Sequence, residues 1–577
     1  MAFSVPSESP AIIVKEVDLS GYVPNVQSTT GAYVGNFRWG PVEEATLVST
    51  EAGLVSTFGA PTSAEATDFL SAAYFLKYSN NLQVVRSVTS VAYNSHDSDA
   101  GSSPLVKNLQ NFNNQEAALA DSDQTFIARY PGDLGNSIAV SVCPYSASDS
   151  AFDNWAYASS FDAAPGTSSF ASGVSASNDE AHIVVVDRLG SFTGTRGTVL
   201  ESFPFVSLAT NAKTPNGTSN YAKDVVNNAS SYVWMAGFGT GKFQATAGSA
   251  AATSVNFASS ASLDNVVGVN LTGGVNSATL TTTEVLTGFD LFEDKDTIQV
   301  DFLIAPGMAN RTDQTTVVND LIATAQSLRK DCVVVASPAR SDIINNSTPV
   351  TNAVLTAATF TSSSYLVVDN NYIKVYDKYN DKYVTIPAAS STAGVMAATD
   401  LNAAPWYSPA GARRGQYLGI TGLAYSPTKP ERDVLYKAGV NPIANLPGQG
   451  VLLFGDKTHL LRPSAFDRIN VRRLFIVLER AIALAARNTL FEFNDEFTRA
   501  EFVNIVEPFL REVKGRRGIT DFRVVCDETN NPGSVIDRNE FVANIFIKPA
   551  RSINYITLNF VAVRTGVDFE EVAGLSV

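Results

Sequence analysis

The side chains best suited to chemistry are few in this sequence of 577 residues. Its three histidines, His96, His182 and His459, have no metal-ligand neighbours at helical or loop spacing, and none lies near a nucleophile motif. The glycine-rich segment 237–243 is shaped like a phosphate loop, but a phenylalanine follows its lysine where a magnesium-binding Ser or Thr is required. We therefore interpret the histidines as structural or surface residues and predict no catalytic, metal or cofactor site.

Carboxylate pairs and cysteines do not change this interpretation. Pairs such as Asp294 and Asp296 lie in charged turns without the aromatic partners that would bind a sugar. The three cysteines, Cys143, Cys332 and Cys526, are far apart, and each lies in or beside an apolar run. This pattern predicts buried free thiols and argues against a disulfide framework or a zinc site.

One pattern of charged residues suggests binding. Arg473, Arg480 and Arg487 are seven residues apart, which places one arginine every two helical turns, about 10.5 Å, along a single ridge. Exposed pairs between such a ridge and an acidic surface contribute roughly 0 to 1 kcal/mol each. The alternative is pairing within the chain, for which the candidate partners are Glu479, Glu492 and Glu507.

The ridge lies on a helix that apolar residues at helical spacing predict over about 465–487. A second helix follows. Thr498, or alternatively Asn494, is its predicted N-cap, and Gly515 is placed to end it in a left-handed conformation. Pro508 is expected to kink it.

Both ends of the chain carry strand patterns that their local sequence leaves unpaired. Three β-rich runs follow the helices, at 521–527, 540–548 and 553–563, and the last has no partner with a clear strand pattern after it. The run 11–17 likewise lacks a hairpin partner. We predict that both ends exchange strands between subunits, because a long unpaired edge is otherwise an aggregation hazard; the alternative is pairing within one subunit. The residues predicted to exchange are Ile12, Ile13, Val14, Lys15, Glu16, Val17, Ile553, Tyr555, Thr557, Leu558, Phe560 and Val561.

Composition predicts a large, folded, acidic protein. The net charge is −15, and 17 of the 41 basic and 17 of the 56 acidic residues lie from Val451 onward, so all the excess acid is upstream. An acidic chain is a poor nucleic-acid binder. No apolar run is long enough to span a membrane, and residues 1–10 do not resemble a secretion signal, so we expect a cytosolic protein without membrane insertion.

The predicted fold class is multidomain, α/β and α+β. We expect an N-terminal arm at 1–22, the first part of an α/β domain at 23–91, and one or two inserted β-rich outer domains at 92–287. The second part of the α/β domain, with a βαβ unit, spans 288–450. Residues 451–577 form a C-terminal assembly domain of two helices and a β-sheet, ending in the exchanged strand.

Several long motifs resemble one known family. VVCD at 524–527, VIDRNEFVA at 535–543 and PARSINYITLNFV at 549–561 closely resemble the C-terminal domain of contractile tail sheath proteins from T-even-like bacteriophages, and FDRINVRRLF at 466–475 looks like the start of that domain. Shorter matches, such as FRWGP at 37–41 and APWYSPAG at 404–411, follow in family order. The outer region matches loosely, and Pro10-Ala11 departs from the Pro-Gly often found before the first strand.

The resemblance implies a structural machine rather than an enzyme. Sheath subunits of this family stack as hexameric rings around a rigid inner tube, and the metastable extended sheath contracts when the baseplate triggers it. The implied partners are further copies of the chain, the inner tail tube protein, and the baseplate and tail terminator proteins. The implied location is the virion tail, assembled in the host bacterial cytoplasm, with the C-terminal domain facing the tube. Arg473, Arg480 and Arg487 are the candidate tube-facing residues.

Other hypotheses remain open at this stage. The sheath of an R-type bacteriocin or another contractile injection system is the nearest alternative, although the large outer insertion favours a phage. An enzyme built on the βαβ unit would need a catalytic cluster that we do not find. A surface-layer or adhesion protein would need a secretion signal.

Overall fold

The computed structural model describes residues 28–97, 103–121, 124–145, 150–238, 250–257 and 267–554. These residues belong to two compact units. The large unit is Val23–Asn488, and the described residues of the C-terminal unit are 489–554. The predicted exchange residues Ile12 to Val17, and those from Tyr555 to Val561, lie outside the described residues.

The large unit begins with an α/β segment and continues into the outer region. The first segment contains β1 (Gly31–Gly35), β2 (Ala45–Val48), α1 (Glu51–Phe58), α2 (Ala66–Phe75) and β3 (Leu82–Arg86). The outer region contains α3 (Leu109–Asp121), β4 (Phe126–Ala128), β5 (Ile138–Pro144), α4 (Ser150–Asp153), α5 (Ser169–Gly173), β6 (Glu180–Asp187), β7 (Thr198–Ser207), α6 (Ala222–Ala229), β8 (Val233–Met235) and β9 (Val267–Asn270).

The chain then returns to the α/β architecture. Its elements are α7 (Thr282–Asp290), β10 (Phe302–Ile304), α8 (Arg311–Ala323), β11 (Val333–Ala336), α9 (Arg340–Ile343), α10 (Pro349–Thr359), β12 (Leu366–Asp369), β13 (Tyr372–Asp377), β14 (Lys382–Pro387), α11 (Ala389–Asn402), β15 (Gly422–Leu423), α12 (Lys429–Lys437), β16 (Val440–Asn441), β17 (Ile443–Leu446), β18 (Gly450–Leu453) and α13 (Ile469–Ala486). The C-terminal unit contains α14 (Glu496–Gly515), β19 (Ile519–Val525), α15 (Gly533–Ile536) and β20 (Asn544–Pro549).

A seven-stranded sheet organises the large unit. Its strand order is β16-β12-β11-β10-β1-β3-β2, and every neighbouring pair is parallel except β3 with the edge strand β2. Helix α8 connects the parallel strands β10 and β11, so the predicted βαβ unit is confirmed.

Both faces of this sheet are covered. Successive residues of a strand point to opposite faces, and Tyr33 and Phe302 accordingly pack in a core with α2, α11 and Ile469 and Ile476 of α13. Val34 and Leu303 pack in the opposite core with α7, α8 and α10. Strands buried on both faces explain why these segments read as continuous apolar runs.

The outer region has its own core. Strands β7-β6-β5-β9 form an antiparallel sheet, and β4 pairs with β8. Arg86 at the end of β3 joins the two regions, because its buried guanidinium donates to the carbonyl oxygens of Phe37, Gly40 and Pro131. The expected β-rich character of the insertion is confirmed.

Two predicted domain limits do not coincide with the packing. Residue 287 lies inside α7, whose Val285 and Phe289 belong to the main core, so the insertion ends before this helix. Residue 451 lies inside β18, and α13 packs in the large unit because Ile469 and Ile476 complete its sheet-covering core. The compact C-terminal unit of the structure begins at residue 489, and the predicted limits of the domains stay predictions.

Candidate assembly surfaces

The C-terminal unit is a long helix with a β-hairpin. Helix α14 buries Phe502, Val506, Leu510 and Val513, which are three or four residues apart and form its apolar face. Phe502 also contacts Phe541 edge to face, with ring centroids 5.4 Å apart. The helix is amphipathic, so its other face is left to solvent or to partners.

The ends of α14 differ from the sequence prediction. The N-cap is Asp495, whose carboxylate accepts the backbone N–H of Thr498 at 2.8 Å, so Thr498 is not the cap but the residue capped. Asn494 instead donates to the carbonyl oxygen of Glu540. Helix geometry persists through Gly515, and the left-handed residue is Arg517, with φ of 65°. Pro508 does lie inside the helix.

The hairpin offers open strand edges. Strands β19 and β20 pair antiparallel, Phe522 opposite Ile547 and Val524 opposite Ile545, and within residues 489–554 this sheet has two strands. Along β20, half-buried residues alternate with exposed ones. A two-stranded sheet is marginally stable by itself and presents unpaired backbone groups on its outer edges. This geometry can accept further strands by main-chain hydrogen bonding.

Large apolar side chains are exposed in the same unit. Leu490, Phe491, Phe493 and Phe497 lie within eight residues at the start of the unit, and all four are more than half exposed. Phe546 on β20 is also exposed. Exposed aromatic side chains at this density are typical of interaction surfaces.

The described part of the predicted exchange strands is short. Ile553 is strongly exposed and lies after β20, in a stretch, 551–554, that has no regular secondary structure. The predicted third strand therefore falls almost wholly outside the described residues. The prediction of strand exchange stays a prediction.

The arginine ridge is largely buried. Arg473 forms a two-point ion pair with Asp400, and these side chains are 6% and 2% exposed. Arg480 pairs with Asp301 at 2.6 Å, and both side chains are at most 10% exposed. Arg487, at the end of α13, is 65% exposed and lies 3.5 Å from Asp296.

These contacts revise the idea of a solvent-facing stripe. The carboxylates that pair with the arginines come from distant segments rather than from the expected Glu479, Glu492 and Glu507, because α13 packs against the sheet and not alone in solvent. Sequence spacing gave no signal for Asp400 or Asp301, since only the fold brings them to α13. Contact with a tube stays a prediction, and Arg487 is the member of the ridge with the exposure that such contact requires.

Burial raises the pKa of both paired carboxyls. Removal from water raises the pKa of Asp400 to about 6, although the Arg473 guanidinium acts in the opposite direction. Burial likewise raises the pKa of Asp301, with Arg480 opposing it. Through these buried ion pairs, α13 is attached to α11 at Asp400 and to Asp301, the residue before β10.

The three histidines and three cysteines, which are the residue types best suited to catalysis or metal binding, are buried in the fold. His182 stacks on Phe161 at 4.2 Å, its Nδ1 accepts from the Phe205 N–H and its other ring nitrogen lies 2.8 Å from the Ala163 carbonyl oxygen. His96 and His459 are buried. All three cysteines are free and buried, as predicted.

Metal-binding clusters and clefts lined by catalytic side chains would also indicate chemistry in the described ranges. There, no group of three or more His, Cys, Asp or Glu side chains is placed to hold a metal ion. A cleft of about 250 Å³ beside Arg480 and Arg487 is lined by charged and aliphatic residues and by Gln299, without His, Cys or Ser. None of the helices in these ranges combines the length and hydropathy that a bilayer span requires.

An α/β core with an appended unit that leaves strand edges and aromatic side chains uncovered is typical of a structural subunit that assembles with other chains. Comparison with known proteins agrees with this class. Residues 278–459 match the phage tail sheath protein central domain, and residues 462–562 match the phage tail sheath C-terminal domain.

The similarity extends over nearly the whole chain. The tail sheath protein of Vibrio phage KVP40 is 32% identical, with 98% of this chain and 99% of that protein covered. The tail sheath protein of Enterobacteria phage T4 is 33% identical with the same coverage. Among solved structures, a sheath tail protein from Listeria innocua has the same fold, with a TM-score of 0.56 at 13% identity over 91% of this chain and 93% of its own.

The chain belongs to the phage tail sheath protein family. It is a structural protein of a contractile tail, and the resemblance to sheaths of T-even-like phages is confirmed. The multidomain α/β and α+β fold class is confirmed as well.

Proposed function

We propose that this chain polymerises as stacked hexameric rings around an inner tail tube, in a metastable extended state, and contracts to drive the tube through the host envelope. The observation that carries the proposal is the two-stranded sheet β19–β20, whose outer edges are open within residues 489–554. The N-terminal run 12–17 and the C-terminal run 553–561 have sequence patterns that predict strands of the length that such edges accept.

Main-chain pairing suits a contracting assembly. Each added strand is held by several backbone hydrogen bonds, and a ladder of this kind moves as one body while the flanking segments bend. The large units of neighbouring subunits can then move relative to one another while the exchanged strands keep the subunits connected. The exposed Phe491, Phe493 and Phe497 supply apolar surface for the same assembly.

The partners follow from the same proposal. They are further copies of the chain, the inner tail tube protein, and baseplate and tail terminator proteins at the two ends, and the site of assembly is the bacterial cytoplasm. Arg487 is the proposed tube contact, because it ends α13 with most of its side chain exposed. No catalytic step and no cofactor belong to this function.

The alternative, the sheath of an R-type bacteriocin or another injection system, rests on the same assembly physics. Coverage favours the phage tail, because relatives from phages align with 98% of the chain, including its outer region.

The test compares three chains by negative-stain electron microscopy: full length, a chain ending at Arg564, and a chain ending at Ser552. The second retains the predicted exchange strand and controls for loss of the tail alone. We expect hollow, ringed tubes from the first two and dispersed particles from the third. Tubes formed by the chain ending at Ser552 would contradict strand exchange, and dispersed particles from all three, with purified tube protein present, would contradict the sheath proposal.

A further inference from the structure

Two covalent connections leave the large unit beside the same helix. On one side, Ser28 and Thr30 precede β1, and the predicted exchange run 12–17 lies upstream of them. On the other, α13 ends at Ala486 and the chain continues into the C-terminal unit. Any force on the exchanged segments therefore enters the large unit at these two points.

The first point is held by the pair Arg473–Asp400. The carboxylate of Asp400, on α11, accepts hydrogen bonds from both terminal guanidinium nitrogens of Arg473. It also accepts a hydrogen bond from the hydroxyl of Ser28, at 2.8 Å. Arg473 also donates to the carbonyl oxygen of Ser28 at 3.1 Å and to that of Met396 at 3.0 Å. Both members of the ion pair thus bind Ser28, one through its side chain and one through its backbone.

The second pair, Arg480–Asp301, repeats this arrangement two turns further along α13. One carboxylate oxygen of Asp301 binds Arg480 at 2.6 Å, and the other accepts the backbone N–H of Thr30 at 2.9 Å. The carbonyl oxygen of Thr30 in turn accepts the N–H groups of Asp301 and Phe302. Thr30 is therefore tied to the start of β10 on both sides of its peptide unit.

The helix that carries Asp400 is itself closely packed. At Gly394 of α11, an added Cβ would lie 2.3 Å from a ring carbon of Tyr78, so α11 approaches its neighbour at a distance that only glycine permits. Asp400 is thus carried by a helix that is closely packed against its neighbour. Charged hydrogen bonds in such a water-excluded setting are strong and geometrically specific.

We propose that the ion pairs Arg473–Asp400 and Arg480–Asp301 form one anchor, in which Asp400 and Asp301 are positioning residues. This anchor fixes two segments to the same part of the central sheet: residues 28–30, at the base of the N-terminal segment, and α13, which leads to the C-terminal unit. The inference rests on the proposed function, since strand exchange is what would load these segments. With this anchor in place, a force applied to either segment is transmitted to the whole sheet and does not detach residues 28–30 from it.

Hydrogen–deuterium exchange of the unassembled full-length chain tests the anchor. Asp400→Asn keeps the shape of the side chain and removes its charge. We expect amide exchange in residues 28–32 to rise at least tenfold, because Ser28 loses its charged acceptor and the end of β1 frays. Ser28→Ala, which leaves the ion pair intact, is expected to give a smaller rise in the same peptide with the urea midpoint almost unchanged.

Asp456→Asn is the matched control. Asp456 is buried and pairs with Arg468, immediately before α13, at 3.1 Å, but the acceptors and donors of that pair do not include Ser28 or Thr30. It is expected to leave exchange at 28–32 within twofold of the unsubstituted chain. The anchor would be overturned if amide exchange at 28–32 rose equally in Asp456→Asn, or if it rose in neither Asp400→Asn nor Ser28→Ala. Exchange as expected in a chain that forms no tubes would instead refute the proposed function and leave the anchor in place.

Discussion

The described ion pairs of the two units differ in burial: the large unit has buried as well as exposed pairs, whereas each pair of the C-terminal unit is exposed or nearly so. In the large unit, Arg86 and Arg473 are buried and the Arg480 side chain is 10% exposed, and all three are hydrogen-bonded to carboxylates or carbonyl oxygens. In the C-terminal unit, the ion pairs Arg511–Glu507 and Arg538–Glu540 are exposed or nearly so. Buried pairs fix one geometry because breaking them is costly, whereas exposed pairs contribute little and exchange readily.

Their sheets differ in the same way. The seven-stranded sheet is covered on both faces, and the hairpin β19–β20 has exposed residues along its length and open edges within residues 489–554. The sheet of the large unit is thus covered on its faces by its own helices, whereas the open edges of the hairpin are where we propose that other strands pair.

The comparison predicts its largest effect at Arg473. Arg473→Met leaves the buried Asp400 without its partner, and breaking such a pair costs about 3 to 5 kcal/mol of unfolding free energy. Urea unfolding followed by tryptophan fluorescence measures the loss of unfolding free energy in the large unit. This unit contains all four tryptophans, which are Trp39, Trp155, Trp234 and Trp406. The double variant Arg473→Met with Asp400→Leu should recover most of the loss, and a single variant as stable as the unsubstituted chain would contradict the comparison.

The next effect concerns pH. Asp369 is fully buried and accepts from Ser337, Thr392 and the Asn371 N–H, yet burial raises its pKa to about 7. The folded state therefore binds this proton at a pH where the unfolded state has released it, and the free energy of unfolding falls as pH rises through 7, by about 1.4 kcal/mol between pH 6 and pH 8.

Asp369→Asn should remove this component. The buried His182 and His459, whose pKa values burial lowers, change stability in the opposite direction, but they are present in both chains. The difference between the two chains in urea unfolding at pH 6 and pH 8 thus isolates Asp369. Parallel pH dependences in the two chains would show that Asp369 is ionised throughout.

The smallest effect on stability is expected at Arg487, which immediately follows the helix that carries Arg473. Arg487→Glu should change the free energy of unfolding by no more than about 0.5 kcal/mol, because the side chain is exposed and its contact with Asp296 is solvated. If Arg487 faces the tube, the variant should cosediment with purified tube protein several-fold less than the unsubstituted chain at low salt. Arg511→Glu, with a matching exposure of 66%, is the control; equal losses in both would exclude a specific role for Arg487.

Sequence reasoning was most successful where the signal is local. Periodicity placed α13 and α14 to within a few residues, and the β-rich runs 521–527 and 540–548 located β19 and β20. The cap of α14 was misplaced by three residues, because Asp495, Thr498 and Asn494 all have suitable side chains and only backbone geometry selects Asp495. The buried thiols of Cys143, Cys332 and Cys526 followed correctly from their apolar neighbours.

By itself, the sequence determined the elements, the family and the absence of recognisable catalytic motifs, because helix periodicity, strand alternation and long motifs are written in neighbouring residues. Tertiary structure alone decided the fate of the arginine ridge. Arg473 and Arg480 meet carboxylates 73 and 179 residues away, on α11 and just before β10. Such pairs are invisible to spacing, since the fold and not the order of the chain determines which charges share a water-excluded site.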